Sequence, residues 1–318
     1  MIKNKCLYCY EIIENSSYEY HNNCSLKLFG NKKPTILEYS LNEIEELAIQ
    51  NINKRLAVTG VQPKLSLELL EEKQKNRLTM VGLWGRYIFK PPYSKYPEMP
   101  EIEDLTMHLA EISGIETSVH GLIRMKSGEL GYITKRFDRK TEKDKTSKIY
   151  TEDFCQLTET LTANKYESSM EKIGRTIQKF SDFIGLDKLN FFEIALFSFL
   201  TGNADMHLKN FSLYKNPYGQ ITLSPAYDLI ASRLLIPDDK DESALTINGK
   251  KRNLRRKDFI MLAENMDIES KVISNTFDKY SRSINKMMLF ISKGFLSPGK
   301  KEMYRKLVLN RAKILGIK

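Results

Sequence analysis

Strand-like and helix-like patterns are segregated along this chain of 318 residues. Alternating apolar stretches at 65–70, 87–90, 119–125 and 132–137 read as strands. One helical segment, 101–113, lies among them and stops at Gly114. From Thr151 onward helical periodicity dominates, with candidates at 151–161, 168–184, 187–201, 256–266, 269–291 and 300–315. Only the short β-like pieces 211–214 and 221–223 interrupt it. A further helix opens at Ser40, where Ser40 and Glu43 have capping-box spacing and Ile44, Leu47, Ala48 and Leu56 supply an apolar face. The tract 139–148 is charged and reads as an exposed loop or lobe boundary. Segregation of this kind predicts an α+β fold: a leader over 1–30, a β-containing N-terminal lobe over 31–140 and a mainly helical C-terminal lobe over 141–318.

The longest apolar run, 189–200, contains Asn190 and Glu193. A membrane-spanning helix needs about 20 apolar residues, so this run reads as a core helix. Met1–Cys9 has no apolar stretch of the signal-peptide kind. A soluble, cytoplasmic protein with no membrane partner is expected. The formal net charge of +10 favours acidic partners such as nucleotides, nucleic acid or an acidic protein face. The cluster Lys250-Lys251-Arg252 with Arg255-Arg256-Lys257 reads first as a solvated loop and second as a phosphate-facing patch.

Of the four cysteines, three fall within the first 24 residues. Cys6-Leu7-Tyr8-Cys9 is followed, after eleven residues, by His21-Asn22-Asn23-Cys24. Two knuckles supplying three thiols and an imidazole make a closed set for structural zinc. Such a metal would fold a segment too short to build its own core. The competing reading is three incidental cysteines and a surface histidine.

The sharpest chemical signal follows the apolar helix directly: Gly202-Asn203-Ala204-Asp205-Met206-His207-Leu208-Lys209-Asn210. Four residues separate Asp205 from Asn210, the spacing of a phosphoryl-transfer loop. There the carboxylate faces a hydroxyl nucleophile and the amide oxygen reaches Mg²⁺. Lys209 would neutralise phosphoryl charge; His207 would either do the same or hold the loop by hydrogen bonds. Asp228, in Ser224-Pro225-Ala226-Tyr227-Asp228-Leu229, stands where a kinase keeps its second metal carboxylate, although in isolation it reads as a turn aspartate. Lys90 ends an apolar strand and suits an α/β-phosphate, with Glu103 as its partner and Glu101 as the alternative. Taken alone it reads first as an ordinary snorkelling strand-end lysine. Thr59-Gly60-Val61-Gln62-Pro63-Lys64 would be the phosphate-covering loop, but it is neither G-x-G-x-x-G nor a P-loop, and taken alone it reads first as a plain strand-entry turn.

Together with Arg136-Phe137-Asp138-Arg139, Glu152-Asp153-Phe154-Cys155-Gln156 and Lys165-Tyr166-Glu167, these segments resemble the HipA family of toxin kinases over nearly all of the chain after residue 30. The resemblance implies a two-lobed kinase fold that binds ATP and Mg²⁺. It implies Asp205 as catalytic base, Asn210 and Asp228 as Mg²⁺ ligands and Lys90 on phosphate. It also places the adenine hinge on the Lys135–Phe137 backbone, with Asp138 and Gln156 lining or supporting the site. Only about fifty residues precede the Gly60 loop, so the chain looks like the short toxin of a three-gene system whose missing subdomain is a separate small protein. Family members autophosphorylate a serine just before this glycine; in Ala57-Val58-Thr59-Gly60 only Thr59 can accept phosphate.

The expected activity is therefore phosphorylation of a protein serine or threonine. By resemblance the target is an aminoacyl-tRNA synthetase, and DNA is met only through a DNA-binding antitoxin. The rivals are a small-molecule kinase on the same fold and an inactive scaffold of an antitoxin–DNA complex.

Overall fold

The computed structural model describes residues 4–14, 18–33, 35–44, 46–47, 64–71, 75–82, 84–142 and 145–317. The expected phosphate-covering residues Thr59, Gly60, Val61 and Gln62 lie outside them, as do Ala48 and Leu56. The chain divides into two compact units. One comprises Met1–Asp104, Ser118–Lys148 and Lys293–Leu296; the other comprises Leu105–Thr117, Ile149–Ser292 and Ser297–Lys318.

The first unit is built on a six-stranded sheet of order β1-β3-β2-β4-β6-β5. Its strands are β1 (Thr35–Ile36), β2 (Leu65–Glu71), β3 (Asn76–Met80), β4 (Tyr87–Lys90), β5 (His120–Arg124) and β6 (Leu130–Lys135). Only the β1–β3 pair is parallel. In β4, Tyr87, Phe89 and Lys90 are buried while Ile88 is half-buried. The register sets Lys90 opposite Tyr132 and Phe89 opposite Ile133. The leader carries helix α1 (Asn22–Phe29), ended by Gly30 in the left-handed conformation. Ser40 and Glu43 form the expected capping box, with Ser40 N–H donating to Glu43 Oε2 at 2.7 Å and Glu43 N–H to Ser40 Oγ at 3.3 Å. Helix α2 (Met99–Ile112) begins in this unit and supplies residues to both.

The second unit is mainly helical: α3 (Phe154–Leu157), α4 (Met170–Phe180), α5 (Ile184–Thr201), α6 (Arg256–Glu264), α7 (Ser270–Lys293, its last residue assigned to the first unit) and α8 (Pro298–Leu315). Helix α5 is the predicted core helix. Every residue from Phe191 to Thr201 is buried, as expected for a helix apolar on all sides. Phe191 meets Phe211 edge-on at 5.2 Å, and Phe199 meets Phe259 at 5.1 Å. The buried Glu193 carboxylate accepts from Lys279 Nζ at 2.7 Å. Asp187 is likewise satisfied, by Ser181 Oγ at 2.5 Å, Thr222 Oγ1 at 2.9 Å and Leu223 N–H at 2.8 Å. Those bonds tie the start of α5 to the strand β11 (Ile221–Leu223). Among the described residues no helix is long and apolar enough to cross a membrane.

The α+β expectation holds, with three local differences. Residues 139–148 are not a loop: β7 (Arg139–Glu142) and β8 (Lys145–Lys148) form an antiparallel hairpin. Residues 151–161 are not one helix. Thr151–Asp153 is strand β9, paired with β10 (Ser212–Lys215), and α3 is a single turn after it. Strand β3, which pairs with β2 over five residues, was not expected. Each of the three depends on cross-strand pairing rather than on local periodicity.

A candidate phosphoryl-transfer site

Helix α5 ends at Gly202, whose φ of 72° breaks the helix and turns the chain into the Asp205 loop. The loop is held at several points. Ala204 N–H donates to Ser232 Oγ at 2.9 Å, and Asp205 N–H to Asn203 Oδ1 at 3.2 Å. The Tyr166 hydroxyl donates to Asp205 Oδ1 at 2.7 Å. Burial, then this bond and the carboxylate's charge, raise the Tyr166 pKa far enough to keep the phenol protonated as a donor. Asn210 Nδ2 donates to the Asp205 carbonyl at 3.2 Å. That bond engages the amide nitrogen and leaves the amide oxygen as the side chain's acceptor.

Lys209 Nζ is 2.6 Å from Asp153 Oδ2. Asp153 also caps α3: its other oxygen accepts from Gln156 N–H at 3.1 Å, while Gln156 Oε1 accepts from Asp153 N–H at 3.0 Å. Gln156 is thus placed as support for the carboxylate that holds Lys209. His207 is buried, and burial holds its pKa down to about 4. The ring is neutral near pH 7 and adds no positive charge to the loop; its backbone N–H donates to the Asp205 carbonyl at 2.9 Å. The Tyr227 hydroxyl meets the Lys209 carbonyl at 3.0 Å and Ser212 Oγ at 2.6 Å. Asp228 follows with φ 55°, a left-handed conformation that aspartate adopts far more readily than most residues.

In the first unit Lys90 is 4 % exposed and is ion-paired with the equally buried Glu103. Its Nζ also stands 5.3 Å from the centre of the Tyr132 ring. Glu101, the other candidate, is only half-buried. A buried ion pair is a weak source of stability, so the pair fits a positioning task better than a packing one. Lys64 is half-buried just before β2. In the expected hinge, Lys135 N–H donates to the Val119 carbonyl at 2.7 Å and Arg136 N–H to the Arg86 carbonyl at 2.8 Å. Phe137 follows, half-buried. Asp138 accepts two bonds of 2.8 Å from Arg136 and one of 2.6 Å from Arg139. Burial favours its neutral form, but the two guanidiniums outweigh this and hold the carboxyl below its usual range.

The four leader residues also come together. The ligand atoms of Cys6, Cys9, His21 and Cys24 all lie within 4.8 Å of one another. The basic cluster, in contrast, is largely engaged within the fold. Lys250 pairs with Asp258 at 2.8 Å, Arg252 with Asp241 at 2.5 Å, and Lys251 donates to the Tyr166 carbonyl at 3.0 Å.

Sequence reasoning gave no role to Tyr166, Ser232, Asn203 or Asp153. Tyr166 and Asp153 sit inside segments that carried the family resemblance, which was the available signal; Ser232 had none.

The family described as HipA-like C-terminal domain matches residues 56–288. Y4mE of Sinorhizobium fredii is 30 % identical over 209 residues, covering 64 % of this chain and 48 % of that protein. Y4dM of the same organism is 30 % identical over 238 residues, covering 70 % and 56 %. The serine/threonine-protein kinase toxin HipA of Shewanella oneidensis is 26 % identical over 221 residues, covering 63 % and 49 %. The chain spans about half the length of these relatives. Among solved structures, S. oneidensis HipA, in its complex with HipB and operator DNA, gives a TM-score of 0.67 at 22 % identity, over 86 % of this chain and 71 % of that one. The Helicobacter pylori proinflammatory kinase CtkA gives 0.53 at 16 % identity, over 78 % and 91 %. These likenesses establish a HipA-type fold. A family match that begins before the first long ladder of the sheet and ends within α7 decides the kinship: the chain belongs to the HipA-like C-terminal domain family.

Proposed function

We propose that the chain is an ATP- and Mg²⁺-dependent serine/threonine protein kinase of toxin type. The observation that carries this reading is the Asp205 loop: a carboxylate held by Tyr166 and, on the same loop, an amide whose nitrogen is held by the Asp205 carbonyl. When bound, Mg²⁺–ATP supplies the γ-phosphoryl group and neutralises charge on its oxygens. Asp205 accepts the proton of the attacking hydroxyl and aligns its oxygen. Asn210 and Asp228 hold the metal. Lys90, fixed by Glu103, binds phosphate oxygens. Lys209, on the same loop, shares its charge with Asp153. The Lys135–Phe137 backbone receives the adenine, and Thr59, Gly60, Val61, Gln62 and Lys64 cover the phosphates.

The protein substrate we propose is an aminoacyl-tRNA synthetase, so that phosphorylation arrests translation. The S. oneidensis relative is seen with HipB and operator DNA; by analogy a DNA-binding antitoxin is the proposed partner, joined by a small separate protein of the kind that the family resemblance implies. Thr59 is the proposed autophosphorylation site. The test is incubation of the full chain with γ-labelled ATP and a bacterial lysate, with Asp205→Asn as control, followed by identification of the labelled molecules. A labelled synthetase seen only with the parent chain is expected. Label confined to small molecules, or equal label with Asp205→Asn, overturns the reading.

A further inference from the structure

The leader holds four metal-ligating atoms in one place, and it is fastened to the strand and helix that carry Lys90 and Glu103. In a tetrahedral zinc site with Zn–S near 2.3 Å and Zn–N near 2.0 Å, sulfur and nitrogen ligands stand roughly 3.5 Å apart. Here His21 Nδ1 is 3.4 Å from Cys9 Sγ and 3.8 Å from Cys24 Sγ. The other ring nitrogen, Nε2, is 3.1 Å from the Ile12 carbonyl. A carbonyl only accepts, so Nε2 carries the hydrogen, and in the neutral ring Nδ1 then presents its lone pair to the sulfurs. A second-shell bond of this kind is what fixes a ligating imidazole. Cys6 is fully buried, and its backbone N–H donates to the Glu11 carbonyl at 2.8 Å, closing the first knuckle. Three thiols and an imidazole fill a tetrahedron with no position left for water or substrate.

The leader is joined to the sheet by its backbone and two tyrosines, and to helix α2 by a third. Leu122 N–H, in β5, donates to the Leu7 carbonyl at 3.0 Å. The Tyr20 hydroxyl donates to the Leu122 carbonyl at 2.6 Å. Tyr87, three residues before Lys90, donates to the Leu28 carbonyl at 3.1 Å. Tyr10 follows Cys9 directly, and its hydroxyl donates to Asp104 Oδ2 at 2.6 Å. The other Asp104 oxygen meets His120 Nδ1 at 2.6 Å. His120 stacks on Tyr132 with ring centres 6.1 Å apart, and Lys90 Nζ lies 5.3 Å from that same ring. Asp104 is next to Glu103 in α2. Tyr10, Asp104, His120, Tyr132, Lys90 and Glu103 are all buried. Such a row has few alternative packings, so its geometry passes from one end to the other.

We propose that Cys6, Cys9, His21 and Cys24 take one zinc ion, and that the loaded knuckle, through Tyr10 on Asp104, sets the first turns of α2 and thereby the Glu103–Lys90 pair. Tyr10 is a positioning residue in this scheme. Metal occupancy becomes a condition for nucleotide binding, and reagents that attack thiolates silence the protein without touching Asp205. The nucleotide part of the scheme rests on the kinase reading; the metal and helix parts do not.

The experiment uses the full chain purified without chelator. Metal analysis is expected to give one zinc per chain. Chelation is expected to raise hydrogen exchange at 99–104, with exchange across Ile184–Thr201 unchanged, and restored zinc is expected to reverse it. Tyr10→Phe is expected to keep the zinc yet show the same increase. Its Mg²⁺–ATP affinity is expected to fall about tenfold, the scale of one lost bond to a charged group. A chain that contains no zinc and takes up none overturns the proposal. So does a zinc-loaded Tyr10→Phe chain with parental exchange at 99–104, or a chelated parent chain with no increase there. A zinc-loaded parent chain that shows the exchange response and binds no Mg²⁺–ATP removes the kinase reading instead and leaves the metal–helix coupling standing.

Discussion

Tyr166 and Asp205 are 39 residues apart in sequence, yet the phenol donates to Asp205 Oδ1 across 2.7 Å. On the proposed kinase reading, the bond leaves the other carboxylate oxygen to meet the incoming hydroxyl. Tyr166→Phe is expected to lower kcat about tenfold, the worth of a hydrogen bond of about 1–1.5 kcal/mol, and to leave the KM for ATP unchanged. Asp205→Asn is expected to cost on the order of 10²–10⁴-fold. Steady-state kinetics on a labelled protein substrate measures both; a Tyr166→Phe effect confined to KM contradicts the orienting role.

Asp228 is in the left-handed region, at φ 55°. Asparagine tolerates that conformation, so Asp228→Asn removes the charge with little backbone strain. Calorimetric titration with ATP is expected to show weaker binding than the parent when Mg²⁺ is present and equal binding when it is absent. A loss of the same size in both conditions speaks against a metal ligand.

Gly202 has φ 72°, and a Cβ there would lie 2.6 Å from Leu307 Cδ2 and 3.1 Å from Arg233 Cβ. Gly202→Ala therefore meets backbone strain of about 1 kcal/mol and a packing clash besides. The melting temperature is expected to drop by roughly 2–4 °C or more, as calorimetry would show. An unchanged or higher value contradicts the close packing behind the loop.

Asp138 has its carboxyl held below the usual range by Arg136 and Arg139, against the pull of burial. A depressed acid stabilises the fold above the unfolded pKa of about 3.9 and loses that contribution as pH falls through the lower folded value. Denaturant midpoints of the parent and Asp138→Asn are expected to differ most above about pH 4 and to converge below it. A gap that widens on acidification reverses the sign and rejects the argument.

Much of the architecture was legible because apolar periodicity is a local property. Helix α5, the α2 helix and the β4 strand follow from the spacing of their own side chains, so Lys90 and Glu103 were each visible before they met. The charged stretch 139–148 has no apolar face to signal a strand, and its pairing shows only as a ladder. Thr151–Asp153 is a strand because β10 lies beside it, more than fifty residues later. The Asp205 loop was readable from Asp205, Asn210 and their spacing. The groups that orient it, Tyr166, Ser232 and Asp153, come from distant segments and have no spacing rule to reveal them. The neutrality of His207 is a burial effect, and burial is a property of the fold rather than of a motif. The readings at Thr59, Gly60, Val61 and Gln62 concern residues outside those described.

One residue in β5 has a consequence for how this family member can change. Gly121 has no side chain, and a Cβ there would come within 3.0 Å of Leu28 Cδ2 and 3.6 Å of both the Leu7 carbonyl oxygen and Tyr8 Cδ2. The strand has a recess of one carbon, and the leader's apolar residues sit over it. A methyl group would ask Leu28 to shift by a few tenths of an ångström; anything larger would have to lift the leader off. The seat and its occupant can therefore drift only in step. A relative without such a leader is under no pressure to leave that carbon out, which makes a small residue at this strand position a tracer for the appendage.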